Sequence, residues 1–351
     1  MSMSIRCCAA WLLAAVCVPA HATFSIAACD AGGDCGVAVA THNLAVGASV
    51  PWARAGVGAL ASQFETRLAH GPRGLDLLAS GRSPAQALRT LLDEDAGDED
   101  GGIAERQVGL VDARGRNAQY TGATAARSHW AGASGDGGTS VQGNGLAGPE
   151  VLEAMHVAFA ATEGPLAGRL LAALDAGQLA GGQRGGQLSA ALLVRTRAGG
   201  WNDVDLRVDA DVDAVARLGR LYRMRLSRSA VARAERLYAA GHADAGRRAV
   251  SEALALADGW DRTWARAARL AMREGDTALA RDCLGVLHGL NPTLAGIELG
   301  APLFAPLRDD PLVASWRQRK EPPIEPPPAG IRPGIRCSGA DRACGSGRMS
   351  R

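Results

Sequence analysis

Thr23 is the residue whose type and position could do the most direct chemistry in this chain. It follows Ala20-His21-Ala22, a small-x-small pattern typical of a signal-peptidase cleavage site. Cleavage after Ala22 would leave a nucleophilic hydroxyl and a free α-amine on the same first residue. An N-terminal threonine whose own amine acts as the base is a known way to activate a weak nucleophile. The position of Thr23 therefore predicts an N-terminal nucleophile that export exposes.

The first 22 residues have the pattern of a secretory leader. Arg6 supplies a positive charge, residues 9–18 are apolar, and Pro19 precedes the cleavage site. The apolar run is shorter than the roughly 20 residues that a membrane-spanning helix needs. We therefore expect residues 1–22 to be removed and the mature protein to be exported, either periplasmic or secreted, without a membrane association after processing.

Composition argues against several kinds of partner and cofactor. A formal net charge of +2 gives no indication of nucleic acid as a partner. No cysteine or histidine pair has metal-ligand spacing, and the glycine-rich stretches lack a phosphate-loop lysine, so we predict no metal and no other cofactor. The acidic run 93–100 lacks the ligand order of a calcium loop and is interpreted as a solvated loop. Lys320 is the only lysine, which leaves no lysine base in the globular part.

The cysteines suggest one local constraint close to Thr23. Cys29 and Cys35 flank the turn 30–34 between two strand-like runs, 23–28 and 36–41. This spacing predicts a hairpin and allows a disulfide across it in an oxidising compartment. Cys337 and Cys344 enclose a similar short loop near the end of the chain. Cys7, Cys8 and Cys17 lie in the predicted leader, so Cys283 is left over, and we predict that it is buried in a helix.

The elements that must position Thr23 lie within residues 23–211, which we predict to be one domain. Further strand patterns occur at 56–64, 108–112, 118–121, 189–196 and 203–208, and helices are predicted to begin near Ser83, Pro149 and Leu166. Strands at both ends with helices between them favour a layered α+β domain over a regular βαβ alternation.

Residues 212–319 have an almost entirely helical pattern. Gly241 and Gly275 each lie in a turn between two amphipathic helices and are 34 residues apart, which is the tetratricopeptide period. The pattern predicts a tetratricopeptide-like helical domain, for which a protein partner is the usual ligand. The Pro/Gly/Arg-rich residues 320–351 are predicted to be a disordered tail. Homo-oligomer formation is left open.

Several separate motifs of the first domain resemble one family, in the same order. They are TFSIAACDAGGDCGVAVATHNLAVGASVPWARAGVGALASQ, GPRGLDLLASG, RQVGLVDARGR, VQGNGLAGPEVLEAM and DLRVD. Over about residues 23–209 the chain resembles domain of unknown function 1028, a family that is similar to the N-terminal-nucleophile (Ntn) hydrolases. The resemblance implies a four-layer αββα sandwich whose first strand opens with the nucleophile. It implies no named substrate, because the activity of that family is not established.

Four further residues are candidates for the site around Thr23. Gln142-Gly143-Asn144 is predicted to lie in a glycine-rich loop before the helix near Pro149. There Asn144 is a candidate donor to a tetrahedral oxyanion, or else a turn residue with a left-handed backbone. His42, at the end of the second strand, could bind substrate or relay a proton, or could be structural. Arg54 could hold a substrate carboxylate or form an ion pair that supports a turn. Gln63 is either a substrate contact or a solvent-facing strand residue.

Two functions from different classes are consistent with these residues. The first is an exported Ntn-type amidohydrolase in which Thr23 attacks a small amide or peptide-like substrate and Asn144 stabilises the oxyanion. The second is a non-catalytic Ntn-like binding domain joined to a tetratricopeptide-like protein-interaction module. One histidine and one arginine do not distinguish between classes of amide substrate.

Overall fold

The computed structural model describes residues 22–96 and 102–318. Most of the predicted leader, part of the acidic run and the predicted tail with Cys337 and Cys344 lie outside the described residues. Within the described ranges no helix is both long enough and apolar enough to cross a membrane.

Strands in the described part of the chain form two antiparallel sheets. Their bounds are β1 (Thr23–Cys29), β2 (Cys35–Thr41), β3 (Pro51–Arg54), β4 (Gly58–Phe64), β5 (Arg106–Asp112), β6 (Asn117–Thr121), β7 (Gly132–Asp136), β8 (Thr139–Asn144), β9 (Ser189–Arg195) and β10 (Val204–Val208). Sheet A has the order β10-β9-β2-β1-β8-β7, and sheet B has the order β3-β4-β5-β6. The strand that begins at Thr23 is therefore central in sheet A.

The α-helices follow the strands in two groups. In the first part of the chain they are α1 (His70–Ala79), α2 (Pro84–Asp95), α3 (Glu150–Ala161) and α4 (Leu166–Leu179). After residue 211 they are α5 (Ala214–Ala239), α6 (Ala243–Leu256), α7 (Asp261–Arg273), α8 (Thr277–Leu290), α9 (Pro292–Gly300) and α10 (Pro311–Gln318).

Alternation of side chains along the strands produces a four-layer α–β–β–α arrangement. On β1, Phe24 and Ile26 pack against α3 and α4, whereas Ala27 faces sheet B. In sheet B, Leu60 and Leu110 pack against α1 and α2 on the opposite face. The α+β class predicted from the sequence is confirmed. Thr23 lies on the face of β1 that is turned toward sheet B.

Several predicted elements agree with the structure, while the loop predicted before α3 is wrong. The β1–β2 hairpin and the α2 helix form as expected, the latter with a capping box between Ser83 and Gln86. The motif Gln142-Gly143-Asn144 is not a loop, because its three residues end β8. Glycine and small polar residues have low strand propensity, but pairing with β1 and burial between the sheets override it. The left-handed turn follows at Gly145, with φ 62°.

The chain forms two compact units that divide between Thr263 and Trp264. The boundary lies C-terminal to the composition change at residue 211, because α5 packs against α4, β9 and β10 of the first unit. Gly241 and Gly275 both have φ 78° in turns between helices, as the sequence suggests. The predicted domain bounds and the tetratricopeptide-like assignment stay predictions.

Cys283 is buried in α8, as predicted. Its burial, with a smaller effect of nearby Asp282 and Asp276, raises the pKa of the thiol to about 12. The thiol therefore stays protonated and unreactive at neutral pH.

The Cys29–Cys35 disulfide joins opposite residues of the β1–β2 hairpin, as the spacing allowed. We expect the double variant Cys29→Ser, Cys35→Ser to lose about 2 kcal/mol of unfolding free energy, because the open loop has more freedom in the unfolded chain. Urea unfolding measures the loss, and wild-type protein in reductant is the control that should match the variant. Equal midpoints for the variant and the oxidised wild type would contradict this expectation.

Candidate functional site

A cluster of polar side chains fills the space between the two sheets at the end where β1 begins. Ala27, Val39, Ala61 and Val111 point into this space, and so does every second residue before or after them on their strands. Beyond these small apolar residues the same faces become polar. This polar cluster consists of Thr23, Ser25, Thr41, Gln63, Gln107, Thr121, Gln142 and Asn144.

The two sheets approach each other closely beside this cluster. At Gly109, a Cβ atom would lie 2.5 Å from the Ser140 hydroxyl oxygen and 2.8 Å from the Gln142 side-chain oxygen. A side chain at this position would require the side chains of Ser140 and Gln142 to move. The glycine therefore allows side chains of β4 and β5 to reach β1 and β8.

Thr23 lies between two register partners, Thr41 on β2 and Asn144 on β8. Its residue surface is 4% exposed. The Thr23 hydroxyl is 3.1 Å from the hydroxyl of Thr41, and its carbonyl oxygen accepts a 3.2 Å hydrogen bond from the Gln63 amide. Both the hydroxyl and the main chain of Thr23 are thus held by side chains of the polar cluster.

The hydrogen bonds of Thr41 determine which way the proton of Thr23 points. The Thr41 hydroxyl donates to the Ala22 carbonyl oxygen at 2.7 Å. The same hydroxyl oxygen accepts from the backbone N–H of Asn43 at 3.2 Å. Because a hydroxyl has one proton, Thr41 must accept at its contact with Thr23. The Thr23 hydroxyl therefore donates its proton toward Thr41 while Ala22 is attached.

Gln107 is the centre of the polar cluster and is fully buried. Its side-chain nitrogen donates to the carbonyl oxygen of Gly143 at 2.9 Å, and its side-chain oxygen accepts from the amides of Gln63 and Asn144, both at 2.8 Å. A backbone carbonyl can only accept, so the Gly143 contact fixes which end of the Gln107 amide faces Gln63 and Asn144. The amide orientations of all three side chains follow from that one contact.

The remaining side-chain oxygens in and beside the cluster are only partly satisfied. The Gln63 side-chain oxygen accepts a 2.7 Å hydrogen bond from the Ser25 hydroxyl. By contrast, the side-chain oxygens of Asn144, Gln142 and Ser140 are buried without a hydrogen-bond partner. A buried acceptor without a donor costs about 1–3 kcal/mol, so each marks a place where a donor would stabilise the protein.

The structure brings Gln63 and Asn144 to Thr23 but does not do the same for Arg54. Gln63 is buried, so the solvent-facing alternative for this residue is wrong. Arg54 pairs with Gly58, at the opposite end of β4 from Gln63, and forms a 2.9 Å ion pair with Asp76 at the surface. His42 is exposed and follows Thr41 directly, beyond the end of β2.

A second buried cluster surrounds Asp95, behind sheet B. The carboxylate is fully buried and contacts Arg67 at 2.5 Å, Arg106 at 2.7 Å and His70 at 3.4 Å. Burial by itself would raise the pKa of Asp95, but hydrogen bonds from Arg106 and Arg67 outweigh this effect and lower it. The solvated-loop interpretation is therefore wrong for Asp95, which is the last residue of α2.

Ser62, His70 and Asp95 have an order that superficially suggests a catalytic triad. The Ser62 hydroxyl is 3.3 Å from His70 Nδ1, and His70 Nε2 faces the Asp95 carboxylate. All three side chains are buried, and burial above all lowers the pKa of His70, which is therefore neutral at pH 7. Arg67 and Arg106 already bind the Asp95 carboxylate, so the arrangement is structural: it connects α1 and α2 to β4 and β5.

Two cavities of the first unit lie away from Thr23. One of about 430 Å³ is lined by Cys29, Asp30 and Arg114, among others. The other, of about 260 Å³, is lined by residues that include Gly56, Leu78 and Arg114. Cys29 is at the far end of β1 from Thr23, and Asp112, which lines the second cavity, is at the far end of β5 from Gln107, so neither cavity adjoins the polar cluster.

Sequence reasoning missed Thr41, Ser25, Gln107, Thr121 and Gln142. A signal for Thr41 was present, because a disulfide between opposite residues of the β1–β2 hairpin sets its register. Counting back from Cys29 and Cys35 places Thr41, and not His42, opposite Thr23. No comparable local signal existed for Gln107, since it reaches Asn144 across the two sheets.

Comparisons with known proteins agree with this architecture. The model of DUF1028, described as a family of unknown function, matches residues 23–218, which include the whole polar cluster. The crystal structure of protein SPO2555 from Silicibacter pomeroyi, described with the same family model, is 34% identical and has a TM-score of 0.51. That match covers 57% of this chain and 88% of the other. No curated protein matches the chain.

Proposed function

The chain belongs to the DUF1028 family, and on this premise we propose that it is an exported Ntn-type amidohydrolase with Thr23 as its nucleophile. The observation that carries the proposal is the hydrogen bond between the hydroxyls of Thr23 and Thr41 at the first residue of a central strand. A threonine at the start of a strand, flanked by buried amides, has the groups that acyl transfer needs. The substrate class is a small amide or peptide-like molecule.

The proposed reaction has two steps. The Thr23 oxygen attacks the substrate carbonyl while its proton passes to the neutral α-amine, which then protonates the leaving nitrogen as the carbon–nitrogen bond breaks. Water hydrolyses the resulting ester and releases the acid. A free α-amine has a pKa of about 7.7–8.0, so a useful fraction is neutral near physiological pH. The second N–H of Asn144 is the proposed donor to the oxyanion.

Removal of Ala22 is what makes this chemistry accessible in the proposal. Ala22 is buried, and its carbonyl oxygen accepts a hydrogen bond from the Thr41 hydroxyl. Cleavage would create the α-amine, vacate the volume of Ala22 and free the Thr41 hydroxyl to turn toward the new amine. The Cys29–Cys35 disulfide supports an oxidising compartment and hence the exported location.

N-terminal sequencing and intact mass of the exported protein test the first premise, with a start at Thr23 as the expected result. The processed protein is then treated with an alkyne-tagged β-lactone, whose ring opens on nucleophilic hydroxyls. We expect one adduct, on Thr23, with the full mass of the lactone. A library of small amides follows, to identify the substrate. A start elsewhere in the chain would rule out the proposed nucleophile.

Thr41 is expected to assist Thr23. In processed Thr41→Val protein the side-chain shape is kept, but the hydroxyl that accepts a hydrogen bond from Thr23 is lost. We expect acylation by the β-lactone to slow by up to about tenfold, which corresponds to the loss of one net hydrogen bond of about 1 kcal/mol. Thr121→Val is the matched control. The hydroxyl that it removes contacts Gln107, so the rate should stay within about twofold of the wild type. Equal slowing in both variants would indicate a general loss of structure.

A binding role is the second candidate, and the burial of Thr23 favours it. In this alternative the sandwich binds without catalysis and the helices after residue 211 recruit a protein. The 34-residue spacing of Gly241 and Gly275 and their shared φ of 78° support a repeated helix–turn–helix unit. An inert Thr23 in the β-lactone assay, together with a partner that Thr23→Ala protein still binds, would select this alternative.

A further inference from the structure

The side-chain oxygen of Asn144 is buried and has no hydrogen-bond partner. Asn144 lies directly opposite Thr23 in the β1–β8 pair. Side chains of opposite residues in an antiparallel pair point to the same face, with Cα atoms about 4.5–5.5 Å apart. The nitrogen of Thr23 is bonded directly to its Cα atom. It is therefore within reach of the Asn144 side chain.

The orientation of Asn144 is determined by the backbone through Gln107. Gln107 donates to the carbonyl oxygens of Gly143 and Gly132, at 2.9 and 3.3 Å, and so must present its own oxygen to Asn144. The side-chain nitrogen of Asn144 donates a hydrogen bond to that oxygen at 2.8 Å. Turning the Asn144 amide over would set two oxygens against each other, so its oxygen is held away from Gln107.

An acceptor held in this way requires a donor, and processing would supply one. A terminal amine has two or three N–H groups, whereas the peptide nitrogen of Thr23 in the uncut chain has one. We propose that Asn144 positions the α-amine of mature Thr23 by accepting a hydrogen bond on its side-chain oxygen, with Gln107 holding Asn144 in place. This role adds to oxyanion donation, and it rests on the proposed function in requiring a mature start at Thr23.

The consequence is a measurable change in the basicity of the terminal amine. A hydrogen bond to a carbonyl oxygen favours the protonated amine and raises its pKa. Removing the acceptor in Asn144→Leu should lower the pKa by about 0.7 unit, which corresponds to one net hydrogen bond. Gln107→Leu should shift it in the same direction, because Asn144 is then free to turn over.

The measurement is the rate of acetylation of the α-amine by acetic anhydride between pH 5 and 10, read by mass spectrometry of the N-terminal peptide. The full chain has one lysine, Lys320, so few other amines compete for the reagent. Gln142→Leu is the matched control. Its side-chain oxygen is also buried and unpartnered, but its register partner is Ser25, so the pKa of the amine should not move.

A lowered pKa in Asn144→Leu with no change in Gln142→Leu supports the inference, even if the β-lactone fails to react. That failure would overturn the proposed function alone. An unchanged pKa in folded Asn144→Leu and in the smaller variant Asn144→Ala overturns the inference, even if the β-lactone acylates Thr23. Circular dichroism of each variant establishes that the compared proteins are folded.

Discussion

Processed Thr23→Ala protein is expected to lose acylation by the β-lactone by at least about a thousandfold, as for the removal of a catalytic nucleophile. The substitution deletes the hydroxyl and leaves the α-amine and the neighbouring amides in place. The lost contact with Thr41 costs stability on the order of 1 kcal/mol, so the fold should persist. Intact mass after timed labelling, with thermal unfolding of the same sample, measures both quantities.

Two variants make the result specific to Thr23. Thr23→Ser keeps a hydroxyl beside the amine and should retain labelling. Ser25→Ala removes a hydroxyl on the same face of β1, two residues away, which donates to Gln63 and not to the amine. It should label at close to the wild-type rate. An adduct that forms at an equal rate in Thr23→Ala would mean that another residue is the nucleophile.

Asp95→Asn is expected to cause the largest loss of stability, about 3–5 kcal/mol, because it leaves two arginines facing a buried neutral group. Arg106 is itself buried and has few other partners for its charge. Urea unfolding monitored by circular dichroism measures the loss. Asp93→Asn, at an exposed position in the same helix, is the matched control and should change stability by no more than about 0.5 kcal/mol.

The stability difference between wild type and Asp95→Asn should depend on pH in a defined direction. The pKa of Asp95 is lowered in the folded protein, so its contribution is complete above the unfolded value of about 4. It is lost as the pH falls through the lower folded value. We therefore expect the largest difference near neutral pH and convergence of the two proteins in acid. A difference independent of pH between 7 and 2 would contradict the ion-pair explanation.

The elements around Thr23 were predictable where the information is local. The Cys29–Cys35 spacing indicates the hairpin, and the Ser83 cap indicates the start of α2. The prediction was wrong at Gln142–Asn144, where glycine and small polar residues suggest a loop. Those residues become a strand because β1 pairs with them and sheet B covers them, and neither contact is visible in a short window of sequence.

The sequence by itself determined the α+β class, the hairpin that begins at Thr23 and the position of this threonine after a cleavage pattern. Each depends on residue type, alternation or short spacing, which act between neighbours in the chain. Only the tertiary structure decided that Gln107 orients Asn144, that Gln63 donates to the Thr23 carbonyl oxygen and that Arg54 lies elsewhere. The contacts of Gln107 and Gln63 arise where two sheets pack face to face, so they depend on the alignment of the sheets and on the hydrogen-bond needs of buried amides.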